Sequence, residues 1–287
     1  MKTALFGPSG NPDSFYASGR KASVEMPEWL AGQGLNAYEY SLTRGVNVGE
    51  ATARKLGDQA SRFGIAMSVH APYYISLATE DETTAANTLK HFLKSLEAAE
   101  WMGADRIAFH MGGIGKLPRQ AAMELAKKRM ANILEEAERR GLTGPKLAAE
   151  THGKVNQLGT VAEIIEVCKL SPQMIPLVDF AHLYAVAGGG FSQPADYGDV
   201  FGRIAQELGN ETAANLHIHF SAIEFTKGGE KRHWGFHDEF GPPYQPLIQW
   251  IAEHQLTPRI ICESAGTQSE DAKSMQDFYL RLLKSKV

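Results

Sequence analysis

Hydrophobic and polar positions follow two alternating patterns along the whole chain. Short apolar runs typical of buried strands are each followed by a longer segment with the period of an amphipathic helix. The strand-like runs lie at residues 2–7, 36–41, 66–71, 106–111, 146–151, 175–180, 215–220 and 259–264. The helical segments lie at residues 23–33, 49–63, 81–102, 119–140, 160–170, 196–208, 244–254 and 269–285. The pattern therefore predicts eight successive strand–helix units.

The links between these segments differ in length. Helix-to-strand links are short and often begin with a glycine that can end a helix, such as Gly64 and Gly103. Strand-to-helix links are longer, above all "SAIEFTKGGEKRHWGFHDEFGPP" after the seventh strand. These features predict one (β/α)8 TIM barrel domain over residues 1–287, with its site at the carboxyl ends of the strands. A doubly wound open sheet is the alternative, but no GxGxxG follows the first strand and no P-loop is present.

Composition adds few constraints to this picture. With 287 residues, 43% hydrophobic residues and 22% charged residues, the chain has an ordinary globular composition. Two cysteines provide no disulfide framework, no apolar run approaches ~18 residues, and the N-terminal apolar run is too short for a signal peptide. We therefore expect a cytoplasmic monomer without a membrane partner or an organic cofactor. The net charge of −4 gives no overall basic surface, so DNA binding would require a local patch or metal ions.

Metal-binding residue types stand at the ends of six predicted strands, and two more histidines follow in the next loops. The strand-end residues are His70, His110, Glu150, Asp179, His219 and Glu263, and the loop residues are His182 and His233. In a barrel these side chains converge, and three carboxylates in a desolvated space would raise one another's pKa unless cations neutralise them. Imidazole and carboxylate ligands suit zinc, manganese or iron, and their number predicts a cluster of two or three ions.

The segments that carry these residues resemble the endonuclease IV family of apurinic/apyrimidinic endonucleases, within the xylose-isomerase-like barrels. They are "SVHAPYYISLA", "IAFHMG", "AAETHG", "LVDFAHLYAVAGG", "IHFSAIE", "GEKRH" and "IICESA". The resemblance implies a TIM barrel that binds three zinc ions and cuts the DNA backbone 5′ to an abasic site. The implied partner is damaged double-stranded DNA, and the implied process is base excision repair.

Carried over to this sequence, the family's ligands fall into three groups. The resemblance implies that His70 and His110 bind one zinc and that Glu150 bridges to a second. Asp179, His219 and Glu263 would complete the second site, and His182 and His233 would hold the third. Glu150 or Glu263 could also orient or deprotonate the attacking water, which makes them the catalytic candidates.

DNA contacts are expected at the rim of the barrel mouth. Tyr73 matches a family position near the damaged site, where an aromatic ring can stack in place of a lost base. Arg44, Lys231 and Arg232 are our candidate phosphate contacts, and Lys116, Arg119 and Lys227 are further basic residues in the same loops.

The sequence also departs from the family pattern. Lys231 in "EKRH" stands where an Asp-x-His motif would place a carboxylate. Either Glu230 or a water would substitute for that carboxylate, or Lys231 would contact a phosphate directly. His217 is an alternative to His219, and His237 an alternative to His233.

Two other functions stay open. A sugar isomerase or epimerase of the same superfamily would need one metal held by Glu150, Asp179, His219 and Glu263, whereas the remaining histidines have metal roles only in the trinuclear arrangement. A non-catalytic metal-binding barrel is the third possibility.

Overall fold

A computed structural model describes residues 3–285 and shows a parallel eight-stranded barrel. The barrel strands are β1 (Leu5–Pro8), β2 (Ala37–Ser41), β3 (Ala66–His70), β4 (Arg106–Phe109), β5 (Lys146–Glu150), β6 (Met174–Asp179), β7 (His217–Phe220) and β10 (Arg259–Cys262). Each overlaps one strand predicted from the sequence, so the predicted TIM barrel is confirmed. Residues 1–2 and 286–287 lie outside the described residues. They include Lys2, the first residue of the first predicted strand, and both ends of the predicted 1–287 domain.

Helices alternate with the strands. They are α1 (Asp13–Ala17), α2 (Met26–Gly32), α3 (Glu50–Phe63), α4 (Glu82–Trp101), α5 (Arg119–Arg139), α6 (Val161–Cys168), α7 (Phe180–Ala187), α8 (Pro194–Leu208), α9 (Asn210–Ala214), α10 (Gln245–Glu253) and α11 (Gln268–Lys284). A 3-10 turn at Ser23–Glu25 precedes α2. Among residues 3–285, no helix combines the length and apolar character needed to cross a bilayer.

The sheet closes almost completely between its first two strands. The hydrogen-bonded order runs β1, β10, β7, β6, β5, β4, β3, β2, and a parallel bridge joins Ser9 to Glu39 across the remaining gap. The Gly10 amide donates to the Glu39 carbonyl at 2.9 Å. Gly7 allows this close approach, since a Cβ there would lie only 1.8 Å from the Ala37 carbonyl oxygen.

Two loops contain structure that the hydrophobic pattern does not predict. The sixth predicted strand extends to residue 180 and is followed by a loop, whereas β6 ends at Asp179 and α7 begins at Phe180. Asp179 caps this helix by accepting a hydrogen bond from the His182 amide at 2.9 Å, a common start for a helix. The long segment after β7 forms an antiparallel hairpin of β8 (Ala222–Thr226) and β9 (Gly229–Trp234). Both additions lie at the carboxyl end of the barrel.

The barrel interior is unusually polar on one side. Ala108, Ala148 and Leu177 form a small apolar cluster of their own, separate from the main core between sheet and helices. Facing strands contribute the fully buried Glu39 and His217 instead. Because buried polar groups require partners, this side of the barrel is built around contacts between polar and charged groups rather than apolar packing.

Candidate metal centre

The predicted metal-binding residues surround one cleft at the carboxyl end of the barrel. The cleft has a volume of about 460 Å³. Its lining includes His70, His110, His182, His233 and Glu263. Glu150, Asp179 and His219 are fully buried beside them. The structure therefore brings all eight predicted ligands together.

The two oxygens of Glu150 face different histidines. Oε2 lies 3.1 Å from His70 Nε2 and 3.1 Å from His110 Nε2. Oε1 lies 3.2 Å from His219 Nδ1 and 3.6 Å from His182 Nδ1. A carboxylate shared in this way has the arrangement of a bridging ligand between two cations.

A second group of ligand atoms lies on the Oε1 side of Glu150. Glu150, Asp179, His219 and Glu263 each offer one atom, and these atoms all lie within 4.8 Å of one another. Asp179 Oδ2 is buried and has no hydrogen-bond partner among residues 3–285. Burial raises the Asp179 pKa, as expected for a carboxylate held away from water. The unpartnered oxygen fits a cation at this position.

A third group forms where α7 meets the hairpin. His182 Nδ1 donates to the Thr151 carbonyl at 2.9 Å, which directs Nε2 toward Glu230 Oε2 at 3.6 Å. His233 Nδ1 is hydrogen-bonded to Ser221 Oγ at 2.7 Å, and its Nε2 lies 3.6 Å from Glu230 Oε1. Two imidazole nitrogens thus face the two oxygens of one carboxylate.

Glu230 and Lys231 point to opposite sides of β9. Lys231 Nζ pairs with Glu224 Oε1 at 2.5 Å on the exposed side of the hairpin, whereas Glu230 faces the cleft. The pairing of β8 with β9 shifts register between Glu224 and Phe225, next to this point. The lysine is therefore directed away from the histidines, and Glu230 supplies the carboxylate near them.

Opposite charges perturb the titration of the whole cluster. Burial would raise the pKa of Glu150, but His110 and His219 outweigh it and hold the pKa well below its usual range. Burial lowers the pKa of His70, yet the Glu150 carboxylate raises it to about 9. The pKa of His233 is likewise raised to about 9, mainly by Glu230 against the effect of burial. Protonated imidazoles thus neutralise carboxylates that metal ions could neutralise equally well.

The donor set fits a borderline transition metal. Within residues 3–285, five overlapping groups of histidine and carboxylate could hold an ion, and four of them consist entirely of ligands predicted from the sequence. Nitrogen and carboxylate donors in this ratio suit zinc, manganese or iron better than calcium.

The structure separates the alternatives that the sequence leaves open. His219 Nδ1 faces Glu150 and Glu263, whereas His217 lies deeper and contacts Glu39 at 3.3 Å. His237 is exposed and lies 3.7 Å from Asp238, outside the cleft. Of the two pairs of alternatives, His219 and not His217, and His233 and not His237, therefore lie within the cluster.

The predicted DNA contacts are divided between rim and surface. Tyr73 lines the cleft mouth with 59% of its surface exposed, and Arg44 lines an adjacent groove. The Arg232 guanidinium stacks 4.2 Å from the centre of the Trp234 ring on the hairpin. Arg119 donates hydrogen bonds to Glu163 and to two backbone carbonyls, so it stabilises the loop and is not free to contact a phosphate.

One buried carboxylate, Glu39, escaped the sequence prediction. It lies in the middle of β2, completely buried, and its Oε1 is 2.9 Å from His219 Nε2. The available signal was a charged residue in the middle of the predicted strand "NAYEYS". His152 also lines the cleft, next to His110 and His182. Burial and, to a smaller extent, these two histidines lower the pKa of His152 to about 3.

Comparison with known proteins identifies a family and several relatives. The profile of the xylose isomerase-like TIM barrel family matches residues 27–282. An uncharacterized protein of Methanocaldococcus jannaschii is 29% identical over 91% of each chain. A probable endonuclease 4 of Nitratidesulfovibrio vulgaris is 28% identical over 52% of each chain.

Solved structures similar to this chain include two kinds of enzyme. Endonuclease IV from Thermus thermophilus superposes with a TM-score of 0.70 at 16% identity, covering 99% of this chain and 100% of the other. D-psicose 3-epimerase from Clostridium cellulolyticum has a TM-score of 0.68 at 13% identity, covering 99% of each. At these identities the similarity shows the fold alone.

Proposed function

Since the chain belongs to the xylose isomerase-like TIM barrel family, we propose that it is a zinc-dependent endonuclease that hydrolyses the phosphodiester bond 5′ to abasic sites in double-stranded DNA. Manganese or iron could replace zinc in the same donor set. The observation that carries the proposal is the division of the Glu150 oxygens between two sets of imidazoles.

The division of Glu150 favours a cluster over a single ion. His70 and His110 converge on Oε2, so they and that oxygen would hold one cation. Oε1 would join Asp179, His219 and Glu263 on a second cation. When bound, such ions supply Lewis-acid activation of water and neutralise phosphate and leaving-group charge. A mononuclear enzyme leaves His70 and His110 without this task.

The third position would be completed by Glu230. His182 Nε2 and His233 Nε2 both lie 3.6 Å from its carboxylate oxygens. Burial opposes ionisation of Glu230, but His233 and His182 lower its pKa to about 2, so it carries a negative charge at neutral pH. A carboxylate at residue 230 can therefore take the place of the one missing at residue 231.

The chain's own side chains would position substrate and water. Glu263 lines the cleft and is partly exposed, so it can accept a proton from an attacking water, whereas Glu150 is fully buried and would act mainly as a ligand. The Tyr73 ring at the rim would stack where a base is lost, and Arg44 would contact the neighbouring phosphate. The probable endonuclease 4 among the relatives supports this choice of substrate.

An assay of DNA incision, run beside an assay of ketose epimerisation, tests the proposal. Purified, zinc-loaded protein should cut a duplex containing one abasic analogue on its 5′ side, and chelation should stop the cleavage. An identical duplex without the lesion is the control and should remain intact. Absence of incision together with C3 epimerisation of a ketose would overturn the proposal.

A sugar epimerase is the second candidate, and one group of residues favours it. Glu150, Asp179, His219 and Glu263 lie close enough to hold a single ion without help from the other histidines. Structures of the same fold include a D-psicose 3-epimerase and a D-tagatose 3-epimerase-like protein. Epimerisation of ketoses by protein carrying one ion per chain would support this candidate.

A further inference from the structure

Glu39 is a buried carboxylate that the proposed reaction does not use. It lies on β2, is fully buried and does not line the cleft. Ser68 Oγ donates a hydrogen bond to its Oε2 at 2.9 Å. A buried carboxylate with a single hydroxyl donor is costly, so its remaining contacts should explain its presence.

The remaining contacts of Glu39 are imidazoles of β7. Its Oε1 lies 2.9 Å from His219 Nε2, and its Oε2 lies 3.3 Å from His217 Nε2. The contact with His219 is short but lacks hydrogen-bond geometry, so the negative charge of Glu39 acts on the Nε2 side of the ring by electrostatic attraction. The other nitrogen of His219, Nδ1, lies 3.2 Å from Glu150 Oε1 and 3.5 Å from Glu263 Oε1. His219 therefore stands between Glu39 and the cluster.

We propose that Glu39 is a positioning residue that holds His219 by Nε2 and so directs Nδ1 toward the cluster. A neutral imidazole has one N–H and one lone pair, so a carboxylate at Nε2 keeps the proton there and leaves Nδ1 to bind a cation. Carboxylates that orient histidine ligands in this way strengthen metal binding. The inference rests on the proposed metal centre but is independent of the reaction catalysed there.

A cation held directly by Glu39, His217 and His219 is the competing interpretation. The ligand atoms of these three residues also lie within 4.8 Å of one another. However, His219 would then have to give up both ring protons to bind one cation at each nitrogen. That requirement makes the positioning role the better account, and the two differ in the number of ions bound.

Zinc titration of metal-free protein against a chromophoric chelator, combined with elemental analysis, distinguishes the two. Glu39→Gln preserves shape and removes the charge, and it should weaken one class of zinc site ~10–100-fold without changing the number bound at saturation. Asp105→Asn makes the same chemical change in a carboxylate that pairs with Arg259 at 2.7 and 3.0 Å, away from the cleft. It should leave zinc affinity unchanged, and His217→Gln should leave the number of ions unchanged.

Two results would overturn the proposal. One is wild-type zinc affinity in Glu39→Gln, and the other is loss of one ion in both Glu39→Gln and His217→Gln with the remaining affinities unchanged. If Glu39→Gln does not fold, nitrogen-15 NMR of the zinc-loaded wild type still decides the question. A proton on Nε2 of His219 is expected, and an unprotonated Nε2 would exclude the role of Glu39. All of these readouts are made without substrate, so they are unaffected if the endonuclease proposal fails.

Discussion

Two consecutive residues of β9, Glu230 and Lys231, lie next to the proposed third metal position. Glu230 faces His182 and His233, whereas Lys231 pairs with Glu224 on the outer side of the hairpin. The pairing of β8 with β9 shifts register here and leaves Lys231 as the extra residue, so Glu230 and His233 share the cleft side while Lys231 points outward. The sequence shows only that a lysine replaces a carboxylate, because the side that each residue faces depends on the register of the hairpin.

Glu230→Gln and Lys231→Gln form a matched pair. The first should reduce the zinc content by about one ion per chain, because a neutral amide is a weaker ligand than a carboxylate. The second should leave the zinc content unchanged, since the lysine lies on the other face. Elemental analysis of both proteins after identical zinc loading makes the comparison, and equal zinc content in the two would contradict the assignment of Glu230.

His110 separates the two candidate reactions. Its Nε2 lies 3.1 Å from Glu150 Oε2, and it has no place in the four-residue group that would suffice for an epimerase. His110→Ala should therefore lower incision of abasic DNA by ~100-fold or more, given the size of metal contributions to catalysis. Kinetics of incision at saturating zinc measure the effect. Unimpaired activity in this variant would argue against the cluster.

At the level of elements, the barrel is predictable because each strand is a short apolar run with an amphipathic helix after it. The two exceptions, α7 and the β8–β9 hairpin, depend on contacts that the hydrophobic pattern does not show. α7 follows β6 without a break because Asp179 caps the helix. The apolar residues after Asp179 in "DFAHLYAVAGGG" continue the apolar run of the strand, so the sequence does not show where the strand ends. The β8–β9 hairpin lies in a polar segment whose pairing is not encoded by hydrophobic alternation. Most candidate ligands were predictable because they end strands, whereas the buried neighbour Glu39 lies inside a strand and its partners are distant in sequence.

Closure of the barrel depends on a glycine in β1. An added methyl group at Gly7 would overlap the Ala37 carbonyl of β2, so Gly7→Ala should destabilise the protein by ~1–3 kcal/mol or more, as overpacking does. Gly32→Ala is the control, because nothing lies within 4 Å of the added group. Urea denaturation of the two variants compares them, and equal midpoints would contradict the tight contact.

At the scale of the whole molecule, one side of the barrel interior is filled by polar and charged side chains and not by apolar ones. Glu39 and His217 within the barrel are linked to the cluster at the mouth by contacts between β2 and β7. Overall composition and the net charge of −4 gave no sign of this arrangement, because both average over the surface. Such an interior stabilises the fold only when its charges are balanced.

Metal binding should therefore depend on pH in a defined direction. His70 and His233 have pKa values of about 9 in the metal-free protein, against an ordinary value of 6.5. Their contribution to metal-free stability is present below pH 6.5 and is lost as the pH rises through about 9.

Zinc must displace those protons, so its affinity should rise over the same interval. At neutral pH, binding should release ~2 protons from these histidines, which calorimetry in buffers of different ionisation enthalpy would detect. Zinc binding without proton release would contradict the pairing of these histidines with carboxylates.

The number of metal ions per chain tests the central claim most directly, because the shared Glu150 carboxylate has its bridging role only in a cluster. Elemental analysis of wild-type protein, loaded with zinc and freed of excess metal, should give about three ions per chain. A content of one ion per chain would contradict the cluster and leave the four-residue site of an epimerase as the better account.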